Sequence, residues 1–187
     1  LSFRGMAWTS LPMAVFLFLF AQPVLVFLFG LEFATASPIL LLLSWSIPFS
    51  FLNSVFYSRL FTSGMEGTAA LVALAAASLN VTLNALLIPL LGAPGASGAT
   101  LIAYGMVVFL GLAFSGSREI SILAVRAFLR PALGGVIVMA FVVWIGLESW
   151  VSGLFLIPVL FALTMILLRE WGQKELWWIR RIIWGTR

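Results

Sequence analysis

Few side chains in this sequence could do chemistry, and the ones set inside apolar runs are mostly amides. Gln22, Asn53, Asn80 and Asn84 each stand within a long apolar stretch, and Arg59 closes one. Histidine, cysteine and aspartate are absent, and the six acids are Glu32, Glu66, Glu119, Glu148, Glu170 and Glu175. The chain therefore has no thiolate nucleophile, no histidine base and none of the usual zinc ligands. An enzyme working inside a membrane needs acid–base groups or metal ligands within reach of one another. Every glutamate here falls at or beyond the end of an apolar run. No glycine-rich phosphate loop follows a strand, because no strand pattern is present. The sequence predicts no catalytic residue, no metal and no cofactor, so the chain is expected not to be an enzyme.

The amides have two readings. Asn80 and Asn84 are one helical turn apart and share a face. They either hydrogen-bond between helices, at about 0.6 to 2 kcal/mol each, or wall a hydrated cavity that offers amides to a polar substrate. Pro23 and Pro48 favour a cavity, since interrupted helices are tolerated where their backbone is buried in protein or lines water. Gln22, beside Pro23, and Asn53, shortly after Pro48, are weaker instances of the same choice. Arg59 is either a snorkelling arginine that sets topology or a cation at a cavity mouth that grips phosphate by forked hydrogen bonds. The tryptophans at 8, 150, 171, 177, 178 and 184 read as interfacial anchors rather than a ligand box.

The elements that must position these residues are apolar helices. Of 187 residues 63% are hydrophobic and 9% charged, and the mean hydropathy is +1.19. A soluble domain carries about a quarter charged residues. The apolar runs are also long enough to cross a bilayer, at about 20 residues per helix. The expected fold is all-α and integral to the membrane, a six-helix bundle over 1–169 with spans at 7–29, 37–58, 68–91, 95–115, 131–147 and 150–168. Pro12 and Pro23 are expected to kink the first span. A short loop is expected at 30–36, carrying Glu32 and no base, and the Gly and Pro at 92–94 give a turn of about three residues. The longest connection, 116–130, contains an apolar piece at 120–129 read as a short helix lying along the interface. The stretch 170–187 is read as a basic amphipathic helix on the cytoplasmic surface, facing anionic headgroups.

Charge placement supports that arrangement. With six spans, one side collects all ten Lys and Arg, while the other holds Glu32 and Glu148 and no base. The net charge of +4 is thus membrane topology by the positive-inside rule and not a nucleic-acid footprint. Both ends are expected in the cytoplasm. The abrupt start at Leu1 reads as the C-terminal part of a longer protein.

The order of motifs resembles a known family. Leu28-Phe29-Gly30-Leu31-Glu32-Phe33 ends the first span, Ser37-Pro38-Ile39-Leu40 opens the second, and Pro48-Phe49 and Ser63-Gly64 follow. Then comes Leu79-Asn80-Val81-Thr82-Leu83-Asn84-Ala85-Leu86-Leu87-Ile88-Pro89, with Gly92, Gly95, Ala96, Gly98, Ala99 and Thr100 beyond it. This resembles the C-terminal half of bacterial polysaccharide flippases of the multidrug/oligosaccharidyl-lipid/polysaccharide exporter superfamily, best over 11–113. The resemblance implies two six-helix bundles around a central cavity, in the bacterial inner membrane. They move lipid-linked sugar on polyprenyl pyrophosphate to the outer leaflet by alternating access. Its implied partners are membrane lipid, the lipid-linked sugar, the missing N-terminal bundle and polysaccharide-assembly enzymes. Gln22, Asn53, Arg59, Asn80 and Asn84 are the substrate-path candidates. A cation antiporter of the same superfamily and a non-transporting scaffold for polysaccharide assembly are the alternatives.

Overall fold

The computed structural model describes residues 3–168, so the basic helix expected at 170–187 lies outside the described residues. Within them every regular element is helical: α1 (Phe3–Leu19), α2 (Ala21–Phe29), a 3₁₀ stretch (Leu31–Ala36), α3 (Ser37–Thr62), α4 (Glu66–Leu91), α5 (Ala93–Gly111), α6 (Arg118–Trp144) and α7 (Trp150–Leu167). Five of these runs are long and apolar enough to cross a membrane, and the bent pair α1–α2 makes a sixth if it counts as one span.

The first span differs from expectation. It is not one kinked helix over 7–29 but two helices meeting at Phe20 with a bend of 82°. Pro12 does not interrupt α1, in which its ring is buried. The break precedes Pro23, which lacks an N–H for the Leu19 carbonyl and whose ring would crowd that carbonyl in a continuous helix. Placed early in α2, the same proline is harmless. Phe20, at the corner, is buried against α7 over Gly153, where a Cβ would overlap the Phe20 ring.

Other boundaries move for local reasons. The expected loop 30–36 is mostly 3₁₀ and runs directly into α3. α3 continues past 58 to Thr62, because the stop signal is Gly64 at φ +69 and not Arg59. Met65 N–H donates to the Leu60 carbonyl at 2.9 Å and Gly64 N–H to that of Phe61 at 3.1 Å. This Schellman cap requires the left-handed residue between them. Gly146, at φ +62, ends α6 the same way, three residues before the expected 147. α4 begins at Glu66, two residues before the expected 68. α5 starts at Ala93 with Pro94 in its first turn, so Gly92 alone turns the chain. α5 ends at Gly111 rather than 115, where the Ser117 hydroxyl donates to the freed Gly111 carbonyl at 2.6 Å.

The largest correction concerns 116–130. No separate interfacial helix exists there, since 118–144 is one helix that passes through a buried Pro131. Its first half is anchored, not peripheral: Ala124 and Ala127 sit in a core cluster with Phe56, Leu60, Val72 and Val108. A second cluster joins α1, α6 and α7 through Leu11, Val15, Val138, Ile157 and Phe161. The small side chains of α6 on its inner side let it pack where an apolar interfacial helix would have turned that side to lipid.

Candidate functional site

Polar residues on α3 recur at three- and four-residue steps. Ser46, Ser50, Asn53, Ser54 and Tyr57 therefore lie along one side of the helix. On α4 the same steps carry Ala73, Ala76, Ala77 and Asn80, and on α5 they carry Thr100, Ala103, Tyr104 and Val107. α5 packs extensively on both α3 and α4, whereas α3 and α4 touch each other much less. The wedge between them is a cavity of about 530 Å³, bounded by these three faces from position 50 on α3 to 107 on α5. That volume falls in the range of small-ligand sites, roughly 300–1,000 Å³.

The wall is uncharged and mostly apolar, with amides and hydroxyls set among alanines: its lining contains no acid, arginine or lysine. Asn53 is only 8% exposed, and its Nδ2 donates to the Tyr104 carbonyl at 3.1 Å. That bond sets the amide's orientation, because the reverse would put two acceptor oxygens together. Asn53 Oδ1 is then buried without a hydrogen-bond partner. On α4, Asn84 Nδ2 donates to Asn80 Oδ1 at 2.9 Å. That bond leaves Asn80 with its NH₂ and one lone pair of its oxygen unused within the pair, and Asn80 lines the cavity. Thr100 gives its proton to the Ala96 carbonyl at 3.0 Å, so toward the cavity its oxygen can only accept.

The structure thus brings two of the five candidates into one site. Asn53 and Asn80 line it from different helices; Asn84 reaches it only through Asn80. Among the described residues the bond that these two amides make lies within α4. Gln22 is exposed on α2 and outside the lining. Arg59 is also outside, with its guanidinium carbon 5.4 Å from the centre of the Phe3 ring on α1. Ser50, Ser54, Tyr57, Thr100 and Tyr104 were not singled out from the sequence. The signal for the first three was their helical spacing around Asn53. Serine and threonine are easily passed over in apolar helices because their hydroxyls can bond their own preceding turn. Among the described residues no three acidic side chains gather that could hold a metal.

No family model, curated protein or solved structure matches the chain.

Proposed function

We propose that this chain is the C-terminal bundle of a flippase that moves lipid-linked oligosaccharide across the bacterial inner membrane by alternating access. Membrane insertion is supported by surface chemistry. Only Ala69, Val72 and Ala76 of the 26 residues in α4 are buried, while Leu74 and Leu90 are 65% and 78% exposed. An apolar face of that size needs lipid or another protein over it. Charge supports the orientation. Arg59 lies in the last turn of α3 and Arg118 opens α6, whereas Glu32 and Glu148 lie in the segments next to the opposite ends of those two helices.

The observation that carries the transport reading is the cavity of about 530 Å³, in which amides and hydroxyls stand among alanines partway along three apolar helices. Polar groups at that depth are expensive in hydrocarbon and are kept where they meet a polar path. An ion-exchanging antiporter favours an acid within a span; here, among the described residues, Glu32, Glu66, Glu119 and Glu148 all sit in connections or first turns. In proteoliposomes, the full-length protein is expected to move a fluorescent lipid-linked oligosaccharide between leaflets. A protein that inserts and folds but leaves transbilayer distribution at the protein-free rate would overturn the reading.

A further inference from the structure

We infer that a crevice at the α1–α2 corner holds a phospholipid with a primary ammonium headgroup, and that Glu148 selects that headgroup. The inference goes beyond the flippase reading and takes from it only the placement of the helices in a membrane. The crevice, of about 310 Å³, lies between the corner and the turn that joins α6 to α7. The chain leaves the axis of α1 at Phe20, so α2 packs on α3 and the 3₁₀ stretch instead of continuing beside α6. Space remains next to the end of α6, walled by Leu19, Phe20, Val142, Val143 and Leu147.

Glu148 is the charged residue of this wall, and every other side chain in it is apolar. The basic residues of the described helices stand far from it. The stretch of α6 from Arg130 to Trp144 is about 21 Å long, and that of α1 from Arg4 to Leu19 about 22 Å. Arg59 closes α3 and Arg118 opens α6, each a helix length away. A carboxylate above an apolar crevice favours a ligand that is cationic at one end and hydrocarbon at the other. A primary ammonium gives the carboxylate charge-assisted N–H bonds, a trimethylammonium has no N–H to give, and an anionic headgroup is repelled. One carboxylate is too few for a cation such as calcium, which takes roughly six to eight oxygens. The rim sets the depth. Val143 and Trp144 are 64% and 80% exposed, and the Trp150 and Phe27 ring centres are 4.8 Å apart. Tryptophans at the end of apolar helices mark the headgroup level. The volume is at the lower end for small-ligand sites, roughly 300–1,000 Å³, so it admits the upper part of one acyl chain while the ammonium meets Glu148.

The test uses the full-length protein in proteoliposomes and an ethanolamine phospholipid carrying a photoactivatable diazirine on one acyl chain. Cross-linked peptides are mapped by mass spectrometry in the presence of unlabelled lipids with ethanolamine, choline or glycerol headgroups. Labelling is expected at Leu19, Val143 or Leu147, which face the crevice. The ethanolamine lipid is expected to displace it about threefold better than the glycerol lipid, the scale of an exposed ion pair. Glu148→Gln is expected to erase that preference and leave the labelling in place. Val143→Trp, at an exposed position of the wall, narrows the crevice and is expected to reduce labelling of Leu19 and Leu147 whatever the headgroup. That variant keeps the test decisive if Glu148→Gln fails to insert. Equal displacement by all three lipids is the behaviour of ordinary boundary lipid and overturns the inference, as does a preference that survives Glu148→Gln. Absence of labelling, the result if another helix of the full-length protein covers the crevice, overturns it too. The flippase reading is judged separately, by transbilayer movement of the oligosaccharide lipid, and labelling of the crevice requires no transport.

Discussion

Gly95 lies where α5 starts back along α4, and a Cβ there would overlap the Leu87 carbonyl oxygen and come within 2.7 Å of its carbon. That wall is helix backbone and cannot swing aside. Gly134 is different, since its Cβ would overlap only Met165 Cε, the tip of a flexible side chain. Gly95→Ala is therefore expected to lower stability by about 1–3 kcal/mol. Gly134→Ala is expected within about 1 kcal/mol of wild type, because Met165 can turn and Ala favours helix over Gly. Thermal midpoints of the detergent-solubilised full-length protein check the order; equal losses would mean that α4 and α5 do not meet backbone to backbone. The glycines and alanines that open α5 stood out in the sequence as part of a motif, but which glycine touches backbone was not legible there. The same holds for Asn53. Its residue type marked it in the sequence, yet its unpaired oxygen depends on where the Tyr104 carbonyl falls, 51 residues away.

At the scale of elements, the decisive feature is the corner between α1 and α2. Spin labels at positions 9 and 28 separate a bend from a straight span. At 1.5 Å rise per residue a continuous helix would hold their backbones about 28 Å apart, and a bend of 82° brings them to about 22 Å. The shorter distance is expected in the full-length protein, measured by electron–electron resonance; the longer one would mean that Pro23 merely kinks. Sequence marked the fault but not its size, because Pro23 opens the ladder while Phe20 and its Gly153 notch set the angle. The helix ends at Gly64 and Gly146 follow from a positive-φ cap that glycine types alone only hint at. α6 misled the sequence reading for the opposite reason. Pro131 looked like a start, but the packing of Ala124 and Ala127 carries the helix through it.

For the whole molecule, the proposed arrangement sets every connection on a definite side of the membrane. Single cysteines at positions 93 and 148 are expected to react with an impermeant maleimide from the periplasmic side. Those at 64 and 116 are expected to react only from the cytoplasm. Each of the four lies in or beside a connection between helices. Labelling of 93 from the cytoplasm would overturn both the topology and the assignment of the basic end. Continuity of α6 puts Arg118, Arg126 and Arg130 within one helix, so the connection expected to hold them is shorter than the sequence reading drew it.

Composition and order along the chain were enough for an all-helical protein of long apolar segments and for the turns punctuated by Gly and Pro. Those properties are local, since hydrophobic length and a missing N–H are each carried by a few neighbouring residues. The tertiary structure decided what depends on distant residues meeting. It bent the first span over Gly153 and drew 118–130 into the core. It also held α3 and α4 apart on α5, so that Asn53 and Asn80 face one space. A cavity is the place where packing stops, and no residue's type says where its neighbours will end.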